Sequence, residues 1–257
     1  MFQTIHYEEK DQVAWLTLNR PEKLNAFTST MNQEMIEVFQ SVGKDHKIRA
    51  LVITGAGKAF CSGEDISSLQ PEMQLGEIIK SRYQPMMKEL ARVEKPIIAS
   101  INGATAGAGL SLALACDFRI ASEQASFMEA FIHIGLIPDS GNLYYLPRIV
   151  GLAKALELAI LGEKLTAKEA KEVGLVTKVV PPDQLDTETT SFVDRLAHMP
   201  TKAIGLIKRY MYQSFETNLT NMLDYEAFGQ EIAGKTEDYA EGVQSFLDKR
   251  SPKYKGY

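Results

Sequence analysis

The run from Lys95 to Asp117, KPIIASINGATAGAGLSLALACD, constrains this chain more than any other segment. Pro96 to Ile101 is short, β-branched and apolar, the pattern of a strand buried on both faces. Asn102-Gly103 ends it, and the small-residue turn Ala106-Gly107-Ala108-Gly109 follows. Leu110 to Ala115 is then apolar and made of good helix formers. Strand, glycine turn and helix in that order leave backbone N–H groups unpaired at a helix N-terminus. Such groups can hold an anion, or an oxygen that becomes one during a reaction. The same glycines also serve close packing of a strand on a helix. The segment alone does not choose between these readings.

The rest of the chain narrows the class. With 257 residues, 45% of them hydrophobic, it can bury one large core with a smaller C-terminal appendage. No apolar run approaches the ~20 residues of a membrane span. The start, MFQTIHYEEKDQ, lacks an apolar h-region and the character of a transit peptide. Cys61 and Cys116 are the only cysteines, so neither a disulfide framework nor a Cys-based zinc site is indicated, and a cytoplasmic setting is expected. His6, His46, His133 and His198 have no ligand spacing, so no metal is expected. The net charge of −5 argues against nucleic acid as a partner. One basic cluster closes the chain, Lys249 to Lys255, and by itself reads as a frayed terminus or as an anion-binding tail.

Strand and helix alternate through the first two-thirds. Val13–Leu18, Ala50–Ile53, Ala59–Cys61, Pro96–Ile101, Phe118–Ala121 and Leu175–Val180 read as strands. Thr28 or Ser29 caps a helix through about Val42, and Glu77 to Val93 reads as a helix disturbed at Pro85. After Gly151 nearly everything is helical, with segments at 152–161, 167–173, 183–198, 202–213 and 219–232. A final helix from Glu237 to Lys249 is expected to bury Tyr239, Val243, Phe246 and Leu247, at i, i+4, i+7, i+8 spacing. The alternation argues an α/β fold with much parallel sheet. The helical tail needs cover for its apolar faces, and a neighbouring subunit is one source.

Several segments together resemble the crotonase family, the enoyl-CoA hydratase/isomerase superfamily. Leu18-Asn-Arg-Pro-Glu-Lys-Leu-Asn-Ala26 is similar to its first loop. Ala59-Phe-Cys-Ser-Gly-Glu-Asp-Ile66 is similar to its first oxyanion segment, and Lys95 to Ala121 to its second. Gly135-Leu-Ile-Pro138 and Ala167 to Gly174 match in order and spacing. The resemblance implies a spiral of ββα units over residues 1–195 and a helical trimerisation region over 196–257. It implies trimers or dimers of trimers, an acyl thioester of coenzyme A as substrate, and no separate cofactor. The oxyanion-hole donors would be the backbone N–H groups of Glu64 and Ala108, each worth about 2.7–4 kcal/mol where one such donor has been removed from other enzymes. Coenzyme A would meet Lys23, Leu24, Ala26, Gly63, Asp65 and Ile66, with Phe246 and Lys249 approaching the nucleotide, in relatives often from an adjacent subunit. The Glu64 side chain reads as an exposed loop carboxylate.

The resemblance also bears on the reaction. Hydratases of this family share a water between two glutamates, whose positions fall here on Ser111 and Phe131. Neither can do that proton work, so both are assigned with Leu136 to the acyl pocket. Asp139 is the carboxylate near this stretch, and by itself it reads as a helix N-cap. In the family, isomerases and an aroyl-CoA dehalogenase carry an aspartate there. Ile134-Gly-Leu-Ile-Pro-Asp-Ser-Gly141 with Leu146-Pro-Arg148 resembles the isomerases of phenylacetyl-CoA catabolism. The expectation is an acyl-CoA isomerase with Asp139 as acid/base, shifting a double bond or opening a ring epoxide. The alternatives are an atypical enoyl-CoA hydratase and a non-catalytic CoA- or RNA-binding scaffold. Glu129 and His133 read as structural or solvated, and the stretch from Ser67 to Tyr83 as the wall of the acyl pocket.

Overall fold

The computed structural model describes residues 2–68 and 74–257. Its first strands, β1 (Ile5–Lys10) and β2 (Val13–Leu18), form an antiparallel hairpin. The turn residues Asp11 and Gln12 both take positive φ, as a two-residue hairpin requires. The sequence reading missed β1 because, of IHYEEK, only Ile5 is buried. Helix α1 (Ser29–Lys44) starts where expected, with Thr28 Oγ1 accepting from the Met31 N–H at 3.2 Å. Strands β3 (Ala50–Gly55) and β4 (Ala59–Cys61) follow.

The helix expected over 77–93 is broken in three. Helix α2 (Leu75–Ile78), a π turn (Ile79–Tyr83) and α3 (Gln84–Ala91) succeed one another. Pro85 cannot donate into the helical ladder, and the wider turn sits directly ahead of it. Residues 69–73, part of the predicted pocket wall, lie outside the described residues. Next come β5 (Ile97–Ile101), β6 (Ala104–Ala106), α4 (Ala108–Ala115), β7 (Phe118–Ser122) and β8 (Ser126–Met128). A 3₁₀ turn over Ala130–Ile134 leads to α5 (Asn142–Val150) and α6 (Leu152–Leu161). The remainder is β9 (Leu165–Thr166), α7 (Ala167–Glu172), β10 (Lys178–Val180), α8 (Leu185–Ala197), α9 (Thr201–Gln213), α10 (Leu219–Ala233) and α11 (Glu237–Leu247).

Among the described residues the strands form two sheets. The larger runs β1-β2-β3-β5-β7-β10, parallel beyond the first hairpin; the smaller runs β4-β6-β8-β9, parallel except at β9. Each turn of the chain gives one strand to the large sheet and the next to the small one, then returns. In this way β3 and β4, β5 and β6, and β7 and β8 stack as successive turns of a spiral. The parallel strands are apolar on both faces because both are covered. One face meets α1, α3 and α4, and the other is closed by Leu185, Val193, Leu196 and Ala197 of α8. Helix α4 has all eight residues buried, which explains its continuous apolar sequence.

The C-terminal helices depart from expectation. Tyr239, Val243, Phe246 and Leu247 are exposed in the protomer, Phe246 at 84%, and the residues α11 buries are Asp238 and Ser245. Helical spacing reports an apolar face but not what covers it. The basic tail is not frayed either. Glu241 is paired with Arg250 and accepts from the Lys253 N–H, and Asp238 accepts from the N–H groups of Lys255 and Gly256 at 2.6 and 2.8 Å.

Candidate active site

Two loops distant in sequence form one rim. A 3₁₀ turn, Pro21–Lys23, passes into Leu24 and Asn25, both left-handed. Asn25 is fully buried and holds that shape: its amide donates to the Ala56 and Ala59 carbonyls at 2.9 Å, and its oxygen accepts from the Arg20 N–H at 2.9 Å. The Ser62 N–H bonds the Leu24 carbonyl, the Phe27 N–H the Gly63 carbonyl, and the Asp65 N–H the Phe27 carbonyl. Arg20 ties the two loops together through the Ala26 carbonyl at 2.7 Å and Asp65 at 2.9 Å. Ser67 and Arg20 hold the Asp65 carboxyl below the usual carboxylate range. Lys23, Leu24, Ala26, Gly63, Asp65 and Ile66 are thus gathered on one edge.

That pairing aims a donor. Gly63 and Asp65 use their carbonyl and N–H on Phe27, and alternate groups of an extended segment point to opposite sides. The Glu64 N–H between them is directed away from Phe27, and no described residue accepts from it. Ala108 opens α4, where first-turn N–H groups have no helical partner. Gly63, at φ +100°, lies against this turn: a Cβ there would stand 3.1 Å from the Ala106 carbonyl and 3.4 Å from the Ala108 nitrogen. The two predicted donors therefore come from segments in direct contact. The two glycines of the run serve different ends. Gly107 makes the turn at φ +52°, while Gly109 packs, since a Cβ there would run into the Cys61 carbonyl.

A pocket of about 360 Å³ opens at this junction. Gly63, Glu64, Ile66, Ala108, Phe131, Leu136 and Asp139 line it, joined by Ile78, Ile79 and Tyr83 of the broken helix. Ser111 does not reach it. That residue is fully buried, and its hydroxyl sits behind the wall, 3.0 Å from the Asp139 carbonyl. The family resemblance implied a lining role for Ser111; the packing of α5 on α4 turns it inward instead.

Asp139 is not an N-cap. The cap of α5 is Gly141, in left-handed geometry, and Asp139 makes no capping bond. Its Oδ1 accepts from the Ser140 hydroxyl at 2.7 Å. Burial raises the Asp139 carboxyl above its ordinary value, with the charge of Glu64 adding to the effect and the Ser140 bond opposing it.

Glu64 is not the exposed loop carboxylate expected. Arg82 grips it with both guanidinium nitrogens, at 2.9 and 3.0 Å, and the Tyr83 hydroxyl donates to the same carboxylate. Arg82 also donates to Asn32 Oδ1 on α1, at 3.2 and 3.1 Å. The pair is less than one-fifth exposed on both sides. Arg82 and Tyr83 end the stretch predicted to wall the acyl pocket, and Tyr83 does line it, but their bonds to Glu64 were not predicted; both sit on the π turn ahead of Pro85. Of the two readings of Glu129, structural or solvated, the second fails: it is 2% exposed, and burial pushes it up to about 7. His133 is held by the Gly162 carbonyl at 2.9 Å, in keeping with a structural role. Phe246 and Lys249 do not line this pocket in the protomer, and Phe246 lines a separate groove beside α10 and α11. Among the described residues no cluster of His, Cys, Asp or Glu could hold a metal ion.

Comparison with known proteins shows the family of this fold. The family model for enoyl-CoA hydratase/isomerase matches residues 8–257. The 1,2-epoxyphenylacetyl-CoA isomerase of Escherichia coli is 41% identical, with 95% of each chain covered. A probable enoyl-CoA hydratase of Rhodobacter capsulatus is 38% identical over 99% of both chains. The crystal structure of an enoyl-CoA hydratase subunit I from Geobacillus kaustophilus superposes with a TM-score of 0.94 at 32% identity, covering 100% of this chain and 99% of the other.

Proposed function

The chain belongs to the enoyl-CoA hydratase/isomerase family, and we propose that within it this pocket performs a one-carboxylate isomerisation of an acyl-CoA thioester, with Asp139 as acid and base. A thioester acidifies its α-carbon. Asp139 removes a proton there, the backbone N–H groups of Glu64 and Ala108 hold the thioester oxygen as it becomes an enolate, and Asp139 returns the proton two carbons along. Opening of a ring epoxide on the acyl group uses the same enolate. The sequence is redox-neutral.

The observation that carries this reading is the unequal state of two carboxylates on one pocket. Asp139 is desolvated and has no cationic partner among the described residues, while Glu64 is bound to Arg82. Hydration needs two coordinated proton-transfer groups. Ser111 and Phe131 stand where they would be, and Ser111 is turned away. The 41% identity to an epoxyphenylacetyl-CoA isomerase supports the aromatic version of the substrate.

Lys23, Leu24, Ala26, Gly63, Asp65 and Ile66 receive the coenzyme in this reading, since their loops share the rim of the pocket. Residues 196–257 form the self-association region, because α11 leaves Phe246 and Leu247 uncovered. Phe246 and Lys249 then approach the coenzyme of a neighbouring protomer.

The test offers crotonyl-CoA and a trans-3-enoyl-CoA to the parent and to Asp139→Asn. Double-bond migration without hydration, lost in the variant, is expected, and justifies a trial of the phenylacetyl-CoA epoxide. Rapid hydration of crotonyl-CoA overturns the reading.

A further inference from the structure

Behind Asp139 lies a buried polar strip that the proton shuttle does not use. Glu129 follows β8, and its Oε1 accepts from Asn142 Nδ2 at 2.8 Å. The same amide donates to Ser111 Oγ at 3.3 Å, and Ser111 Oγ donates to the Asp139 carbonyl at 3.0 Å. That carbonyl also accepts from the Asn142 N–H at 3.0 Å. Asn142 and Ser111 are both fully buried. The strip thus links the end of β8, the first residue of α5 and α4 to the backbone of the shuttle carboxylate. Ser140 and Gly141, which follow Asp139, both take positive φ, so this backbone holds its shape by being anchored.

Two atoms of the strip lack partners. Glu129 Oε2 and Asn142 Oδ1 are buried without a hydrogen bond, and both are acceptors. An ionised Glu129 would leave a charged oxygen in the interior with no donor. A proton on Glu129 removes that charge and makes its hydroxyl a donor.

We propose that Glu129 is held as the neutral carboxylic acid, and that with Asn142 and Ser111 it forms a brace that positions Asp139 without setting a second negative charge behind it. Glu129 is a positioning residue, since it does not line the pocket. The proposal rests on Asp139 being the shuttle. Burial is the main cause of the raised Glu129 carboxyl, and the Asp139 charge adds to it. The elements packed around Glu129 bring no further charge to it. Strands β6 and β9 and helix α4 carry no ionisable side chain, His133 and the charged residues of α7 are exposed, and Arg148 of α5 is engaged with Tyr144. Glu64 lines the pocket and is paired with Arg82, which does not line it.

The sign follows from linkage. Between about pH 4.3, where an unfolded glutamate titrates, and about 7, the folded chain holds a proton that the unfolded chain has lost. Stability therefore falls as pH rises through that window and levels off above it. Above 7 the ionised Glu129 opposes the enolate, and activity declines.

The experiment records the ¹³C carboxyl titration of Glu129 in the parent and in Asp139→Asn. It adds Tm at pH 5 and pH 8 for the parent and Glu129→Gln, and kcat against pH on the trans-3-enoyl-CoA for the parent, Glu129→Gln and Glu129→Ala. Glu129 is expected to titrate near 7, and lower in Asp139→Asn. The Tm of Glu129→Gln is expected to gain on the parent between pH 5 and pH 8. Glu129→Ala should lower kcat about tenfold, the scale of one lost neutral hydrogen bond, while Gln restores most of it and removes the alkaline decline. A midpoint near 4.3, a Tm difference independent of pH, or an alkaline decline that persists in Glu129→Gln overturns the brace. A midpoint near 7 in a protein that shifts no double bond leaves the brace standing and refutes the isomerase reading instead.

Discussion

Glu64 and Asp139 line one pocket, in opposite electrical surroundings. The Glu64 wall is built from the first oxyanion segment and the π turn, and its carboxylate is saturated by Arg82 and Tyr83. The Asp139 wall is built from the turn before α5, and its carboxylate has one neutral donor, Ser140, in an apolar setting beside Phe131 and Leu136. The same functional group is locked in place on one side and made basic on the other. A paired carboxylate holds structure, and an unpaired desolvated one moves protons. In the proposed reaction Glu64 serves twice: its backbone N–H is the proposed oxyanion donor, and its side chain clamps the segment that presents that N–H.

Substitutions can break this asymmetry from either side. The largest effect is expected from Asp139→Asn, with kcat on the trans-3-enoyl-CoA down 10²- to 10⁴-fold, the usual range for a general base. Tm at pH 8 should rise, because the fold no longer bears a desolvated charge. Arg82→Leu comes next. It orphans the Glu64 carboxylate beside Asp139, costs about 2 kcal/mol of stability, and should move the acid limb of kcat/KM to higher pH. Denaturant unfolding and the pH–rate profile measure the two effects. Glu64→Gln is the smallest. It keeps the backbone donor and removes the field that raises Asp139, so the acid limb should move to lower pH while kcat at pH 8 changes by less than about threefold. Equal shifts in the same direction for the last two variants would show that Glu64 does not act on Asp139 through its charge.

The two walls were unequally legible. Asp139 was readable because its motif, Gly-Leu-Ile-Pro-Asp-Ser-Gly, is contiguous. The partners of Glu64 were not, since Arg82 lies 18 residues away and is brought over by a π turn that helical periodicity does not encode. Ser111 shows the same limit in reverse. Its place on α4 was predicted, but which face of a fully buried helix looks into the pocket depends on α5. Glu129 and Asn142 are 13 residues apart and meet only because the 3₁₀ turn folds one back on the other.

Local sequence sufficed for the parallel strands, the glycine turn and the Thr28 cap. These depend on local apolar runs, small residues and φ preferences, which neighbouring residues carry. The surroundings of the carboxylates came from the folded packing alone. Whether a carboxylate is paired like Glu64, desolvated like Asp139 or shut inside like Glu129 depends on groups that the fold brings together from distant segments. Desolvation and Coulomb interactions act through space and leave no periodic mark along the chain.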